Sequence, residues 1–186
     1  MLSSLPGIGP VTYDSELHWY VSDPLETPLL GGPREYVVDG DEPELGDSLK
    51  ACVDAFRSLQ PGALRAGEQA IYEYYLDTAQ EIVDPTARLD PGSAGPPAAH
   101  EVEEGFPQIG SPAEVWEHIT ASGQVHLVSE DGTWYVSLEC ECSWEPEHGL
   151  AIVLRQGLEV SLVGPFEGRV TDPDLPGGVL YRRLYA

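Results

Sequence analysis

The sequence predicts an α+β fold, with an antiparallel C-terminal sheet packed against two or three helices. Three observations carry that prediction. From Val125 onward apolar residues alternate with period two, and the runs are joined by tight-turn signals. Between Leu45 and Ile82 they fall instead at helical spacing. Proline, glycine and alanine gather between these regions, in residues 85–110.

Taken in order, the first forty residues read as extended. Leu17, Trp19 and Val21 alternate with Glu16, His18 and Tyr20, which predicts a strand with His18 on the face opposite Trp19. Pro24, Pro28, Gly31, Gly32 and Pro33 predict loop, and residues 35–38 a second short strand. Asp41, Pro43 and Glu44 have the spacing of a helix start, and Leu45, Leu49, Cys52, Val53, Phe56 and Leu59 form the apolar stripe behind it. Pro61-Gly62 ends that helix. A second is predicted over 63–83, with Ala70, Ile71, Tyr74, Tyr75 and Ile82 on its buried side. Ser111, Pro112 and Glu114 cap a short third helix whose apolar face is Val115, Trp116 and Ile119. Strands follow at 125–129, 134–142, 150–155 and 158–163, turned at Asp131-Gly132 and Gln156-Gly157, and residues 179–185 close the sheet.

The predicted organisation is one domain over residues 1–186: a helical N-terminal part (1–84), the Pro/Gly-rich connection (85–110) and a β-rich part (111–186). The charge bounds the function. There are 32 Asp and Glu against 9 Lys and Arg, a formal net charge of -23, and Lys50 is the sole lysine. Such a field repels nucleic-acid phosphates and anionic lipids, so neither nucleic acid nor membrane is expected as a partner. It attracts basic proteins and cations. Three cysteines without framework spacing predict a reduced, cytoplasmic protein. No secretory signal is read at the N-terminus, and the longest aliphatic run, Leu150 to Leu154, is too short to span a bilayer.

The chemistry-bearing residues concentrate in one stretch, ECECSWEPEHGL, residues 139–150. Strand parity puts Trp134, Val136, Leu138, Cys140 and Cys142 on one face, and Tyr135, Ser137, Glu139 and Glu141 on the other. The cysteine face is the apolar one, so buried thiols complete a core and the glutamate face meets water. The alternative is a zinc site built on Cys140, Cys142 and His148, with His126, His118 or a glutamate as a distant fourth ligand. Zinc is the cofactor in that alternative; otherwise none is expected. A nucleophilic Cys-His pair fits poorly, because inward thiols among carboxylates are held protonated. Catalytic residues are therefore not assigned. Glu141 at the strand's end and the rigid turn after it, with Trp144, Glu145, Glu147 and His148, supply the binding candidates, since loops on a fixed scaffold commonly carry recognition. Gly149 suits a positive φ there.

The series Cys140-x-Cys142-x-Trp144-Glu145-x-Glu147-His148-Gly149-Leu150, followed by Val153, Arg155 and Gly157, resembles a family of small bacterial proteins with a domain of unknown function. Trp19, the tyrosine-rich second helix and Val115-Trp116-Glu117-His118 extend the resemblance over most of the chain. The chain departs from that family at residues 166–171, FEGRVT, where an Asp-Gly-His-Leu-Thr-like stretch is usual. The resemblance implies an association with immunity and antitoxin-type proteins of bacterial competition. The expected function is a non-catalytic protein-binding module toward a basic partner; the alternative is a zinc-binding protein or metal-dependent enzyme centred on the Cys-x-Cys…His segment.

Overall fold

A computed structural model describes residues 2–40, 46–83, 105–121, 123–172 and 180–181. Its core is the meander that the period-two alternation predicts. β8 (Val125–Glu130) turns at Asp131-Gly132, both at positive φ (49° and 73°), into β9 (Thr133–Cys142). Paired positive φ gives the turn a twist matched to the strands. β10 (Leu150–Arg155) returns against β9 with Leu150 opposite Cys140. A second positive-φ pair, Gln156-Gly157, leads to β11 (Glu159–Gly164).

The sheet is not confined to the C-terminal part. β1 (Ser4–Leu5), β2 (Gly9–Asp14), β3 (Trp19–Ser22) and β6 (Tyr36–Asp39) extend it in the order β1-β2-β3-β6-β8-β9-β10-β11. β4 (Leu25–Thr27) and β5 (Gly32–Arg34) form a separate ribbon, and β7 (Ile119–Thr120) pairs with the far end of β9. The join between halves, β6 to β8, is parallel, with Val37 beside His126. All other pairings among the described residues are antiparallel. Parallel neighbours need a long crossover, and the helices lie in it.

Those helices are α1 (Asp47–Ser58) and α2 (Glu68–Val83), with a 3-10 turn at Ala63–Gly67 between them. α1 buries the predicted stripe Leu49, Cys52, Val53 and Phe56. The capping residues proposed for it, 41–44, and Leu45 lie outside the described residues, as do most of the connection at 85–110 and most of the closing strand at 179–185. From that last segment, the carbonyl of Leu180 accepts a 2.8 Å hydrogen bond from the Val163 amide. The short third helix is 3-10 (Pro112–His118). Its first turn is held by the Glu114 carboxylate, which accepts from the Gly110 amide and the Ser111 hydroxyl.

One apolar cluster joins both helices to one face of the sheet, through Tyr20, Val38, Leu127, Val136 and Leu154 in the strands, Phe56 in α1 and Ile71, Tyr74 and Tyr75 in α2. The second helix's tyrosines are core residues, each with its hydroxyl bonded to backbone: Tyr72 to Ile109, Tyr74 to Gly149 and Tyr75 to Pro107.

Several expectations are corrected. β3 has the opposite parity to the one predicted: Tyr20 is buried and Trp19 and Val21 only half-buried. The alternation misled because Tyr20 joins the helix-covered cluster, and Leu17, which supported the other parity, lies in the turn before the strand. His18 sits in the preceding turn at φ 59°, and Leu17 is exposed there. Ile82, predicted on the buried side, is exposed in the last turn of α2. Tyr135 and Ser137 are buried too, although their face was predicted to be solvated. A second, smaller cluster covers that face: Tyr135, Ala151, Val153 and Val170, with Val128, Leu162 and Phe166 against them. Among the described residues no helix is long and apolar enough to cross a membrane.

Candidate functional site

β9 carries ten residues, and its two halves differ. From Trp134 to Leu138 both faces are buried; after Leu138 the burial alternates. Cys140 and Cys142 are buried, while Glu139 and Glu141 are exposed. Burial first of all pushes both thiols up to about 12, because a thiolate loses its hydration there. The Cys142 thiol also contacts the carbonyl of Glu145 at 3.7 Å. Both cysteines are therefore protonated at neutral pH and face the core.

The segment 143–149 that follows is tightly tied. The Gly149 amide donates to the Glu145 carbonyl at 2.9 Å. The Glu145 carboxylate lies 3.3 Å from the His148 amide, which donates to it, and 3.2 Å from His148 Nδ1. Gly149 has φ 64°, and a Cβ there would lie 2.7 Å from the carbonyl oxygen of Cys140, so the turn closes against the strand it leaves. From beneath, α2 holds it. The Tyr74 hydroxyl donates to the Gly149 carbonyl at 3.1 Å, and Trp144 meets Tyr74 and Tyr75 edge-on at 6.4 and 5.9 Å. Trp144 is thus an anchor under the loop rather than a surface contact. Burial raises the Tyr74 phenol strongly, with smaller contributions from Cys142 and the carboxylates of Glu145, Glu167 and Glu81.

The other wall comes from residues 117–120. β7 pairs Ile119 with Cys142 and Thr120 with Glu141. His118 Nδ1 is 3.0 Å from the Ser143 hydroxyl. Between the walls lies a cleft of about 540 Å³ lined by Glu117, Glu139, Glu141, Glu145 and Glu147, with His118 and His148, bordered by Cys140 and Cys142, and, among the described residues, without a lysine or arginine.

Of the predicted binding residues, Glu141, Glu145, Glu147 and His148 share this cleft and Trp144 lies below it. Glu117 and Ser143 were not predicted there, and His118 only as a distant fourth ligand in the zinc alternative; twenty-odd residues of sequence separate the two walls, and β7 is too short to show a period. The proposed metal ligands do not converge. Both thiols point to the core while the His148 side chain is exposed beside Glu145. His126 is in register with Ser137, on the face opposite the cysteines. Among the described residues no three His, Cys, Asp or Glu side chains are placed to hold one ion. His118 Nδ1 is the ring nitrogen that meets Ser143, and among the described residues no carboxylate is hydrogen-bonded to that imidazole as in a Ser-His-Asp unit.

The fold and site define a mixed-sheet α+β protein with an acidic surface cleft at the end of its longest strand. The chain belongs to the DUF6985 family, a domain of unknown function, whose family model matches residues 7–171 and so takes in both halves of the sheet. Comparison with curated proteins gives no significant match, and neither does comparison with solved structures.

Proposed function

We propose that this protein is a non-catalytic binding module that holds a basic protein partner in its acidic cleft, in the manner of a cytoplasmic bacterial immunity or antitoxin protein. One observation carries the reading: five glutamates line a pre-formed cleft that, among the described residues, has no lysine or arginine. Glu145 is engaged by His148, but the cleft's carboxylates have no lysine or arginine among the described lining residues; they are complementary to a partner's lysine and arginine, and the net charge of -23 adds long-range attraction. In such a complex the charges contribute mainly association rate and orientation. The tied turn and the Trp144 anchor keep the surface pre-organised, which lowers the entropy lost on binding. In this reading the cysteines serve the core, and the protein works without zinc.

The test is calorimetry and stopped-flow association with the basic product of a neighbouring gene, at roughly 0.05 and 0.3 M salt. The triple variant Glu141→Lys, Glu145→Lys, Glu147→Lys should abolish binding, and high salt should slow association of the unmodified protein. Binding that ignores both changes would overturn the reading. So would stoichiometric zinc, in protein purified without a metal-affinity tag, that is lost when Cys140 and Cys142 are replaced.

A further inference from the structure

The sheet face turned away from the helices holds a second recess. Trp19 and Asp39 are cross-strand neighbours on β3 and β6, and Val37, His126 and Ser137 stand in register across β6, β8 and β9. With Phe166 and Gly168 these residues enclose about 120 Å³. A single buried water occupies roughly 10–15 Å³ by the same kind of measure, so the recess admits a head group and several methylenes. Its walls are aromatic. The His126 ring meets Trp19 edge-on at 5.6 Å and Phe166 at 5.4 Å.

Two polar features are open to a ligand. Ser137 is only 3% exposed, and its hydroxyl has no hydrogen-bond partner. A buried hydroxyl in that state destabilises the fold unless a ligand satisfies it. Asp39, at the rim, is exposed and takes part in no salt bridge among the described residues. Burial lowers the affinity of His126 for a proton although the carboxylates of Glu139 and Asp39 oppose that shift, so the ring offers a neutral acceptor at pH 7. Aromatic faces, two nearby carboxylates, a hydroxyl and a neutral imidazole together make an environment that favours a cation carrying N–H donors. An anion is repelled, and a neutral hydrocarbon leaves Ser137 unsatisfied.

We propose that the recess formed by Trp19, Asp39, His126, Ser137 and Phe166 binds a primary alkylammonium group. The ammonium would lie against the ring of Trp19, donate to Ser137 and His126, and pair with Asp39. Its source is either a free amine or a lysine side chain; the lysine source rests on the basic-partner reading above, whereas the recess does not.

The experiment is a titration followed by the indole N–H signal of Trp19 in ¹H–¹⁵N NMR, using n-butylammonium, n-butanol and Nα-acetyl-lysine N-methylamide. Butylammonium should give a saturable shift, with butanol at least about tenfold weaker. Asp39→Asn should weaken the ammonium about tenfold. Ser137→Ala should also weaken it while leaving the melting temperature unchanged or higher, a combination that a purely structural serine would not give. Equal binding of butanol and butylammonium, no movement of the Trp19 signal, or indifference to both substitutions would overturn the proposal. Tighter binding of the lysine amide than of butylammonium assigns the site to a protein side chain; weaker binding assigns it to a free amine. Glu141→Lys, Glu145→Lys, Glu147→Lys serves as the separating control. It should leave the titration in place, so failure of the recess and failure of the cleft are read independently.

Discussion

Replacing Gly157 with alanine tests how α1 is set against the sheet. Gly157 turns β10 into β11 at φ 70°, and a Cβ there would lie 2.2 Å from the carbonyl oxygen of Cys52 and 3.1 Å from the amide nitrogen and Cβ of Phe56. The obstacle is helix backbone, which cannot swing aside as the end of a side chain can. A methyl needs at least 3.4 Å, so the turn or the helix must move by more than an ångström. The left-handed conformation costs an L-residue about 1–2 kcal/mol, and overpacking adds about 1–3 kcal/mol. The expected loss is roughly 2–5 kcal/mol. Gly132→Ala is the control, since Gly132 has φ 73° with nothing within 4 Å of its Cβ position. It should lose the conformational part alone, about 1–2 kcal/mol. Urea unfolding at constant m-value separates the two. For a chain of this size the same difference lowers Tm by about 2–4 °C per kcal/mol. If Gly157→Ala costs no more than Gly132→Ala, the close approach of turn and helix is wrong.

Three further outcomes follow from the site and its surroundings. Cys140→Ala and Cys142→Ala should each cost about 1–2 kcal/mol in denaturant unfolding, and a thiol reagent at pH 8 should modify all three cysteines quickly only after denaturation; rapid labelling of the folded protein would contradict their burial and their rise to about 12. Tyr74→Phe removes the donor to the Gly149 carbonyl and should cost about 0.5–1.5 kcal/mol, with faster amide exchange at residues 145–149; unchanged exchange would show that Trp144 alone holds the turn. His126 is held below its ordinary 6.5 by burial, so the unfolded chain binds the proton more readily. Stability should then fall as pH drops below about 6.5 and level off beneath the depressed folded value. His126→Gln should flatten that part of the profile, and an unchanged slope would assign it to other groups.

How much was legible depended on how local the cause was. The β8–β9 and β10–β11 hairpins were readable because Asp131-Gly132 and Gln156-Gly157 carry their turn conformations in their own residues. The α1 stripe was readable because Leu49, Cys52, Val53 and Phe56 bury one side of a single element. The parallel join of β6 to β8 was not, since its partners are about ninety residues apart and nothing in Tyr36–Asp39 names the other strand. The same holds for β3. Tyr20, Trp19 and Val21 are all apolar enough to face inward, and the sheet's cover, not the alternation, decides among them. Within the site, Glu141 at the end of β9 and Glu145, Glu147 and His148 in the turn after it were legible as near neighbours in sequence. The wall from Glu117 to Thr120 was not, because it meets them only through the two-residue pairing of β7.

The position of the acidic cleft follows from where the sheet loses its second cover. Ordinary antiparallel strands alternate because one face is wet. β9 begins otherwise, with Trp134, Tyr135, Val136, Ser137 and Leu138 all buried, because Phe166 and Val170 pack over the face that the helices do not reach. A carboxylate under that cover would be desolvated without a counter-ion, which costs several kcal/mol. Glutamates can enter the outer face only where the cover ends, and they do so at Glu139 and Glu141. Both recesses lie at this boundary: the apolar one under Phe166 at the level of Ser137, the acidic one just beyond it. They are also physically joined, since the Phe166 amide donates to the carbonyl of His148 at 3.2 Å.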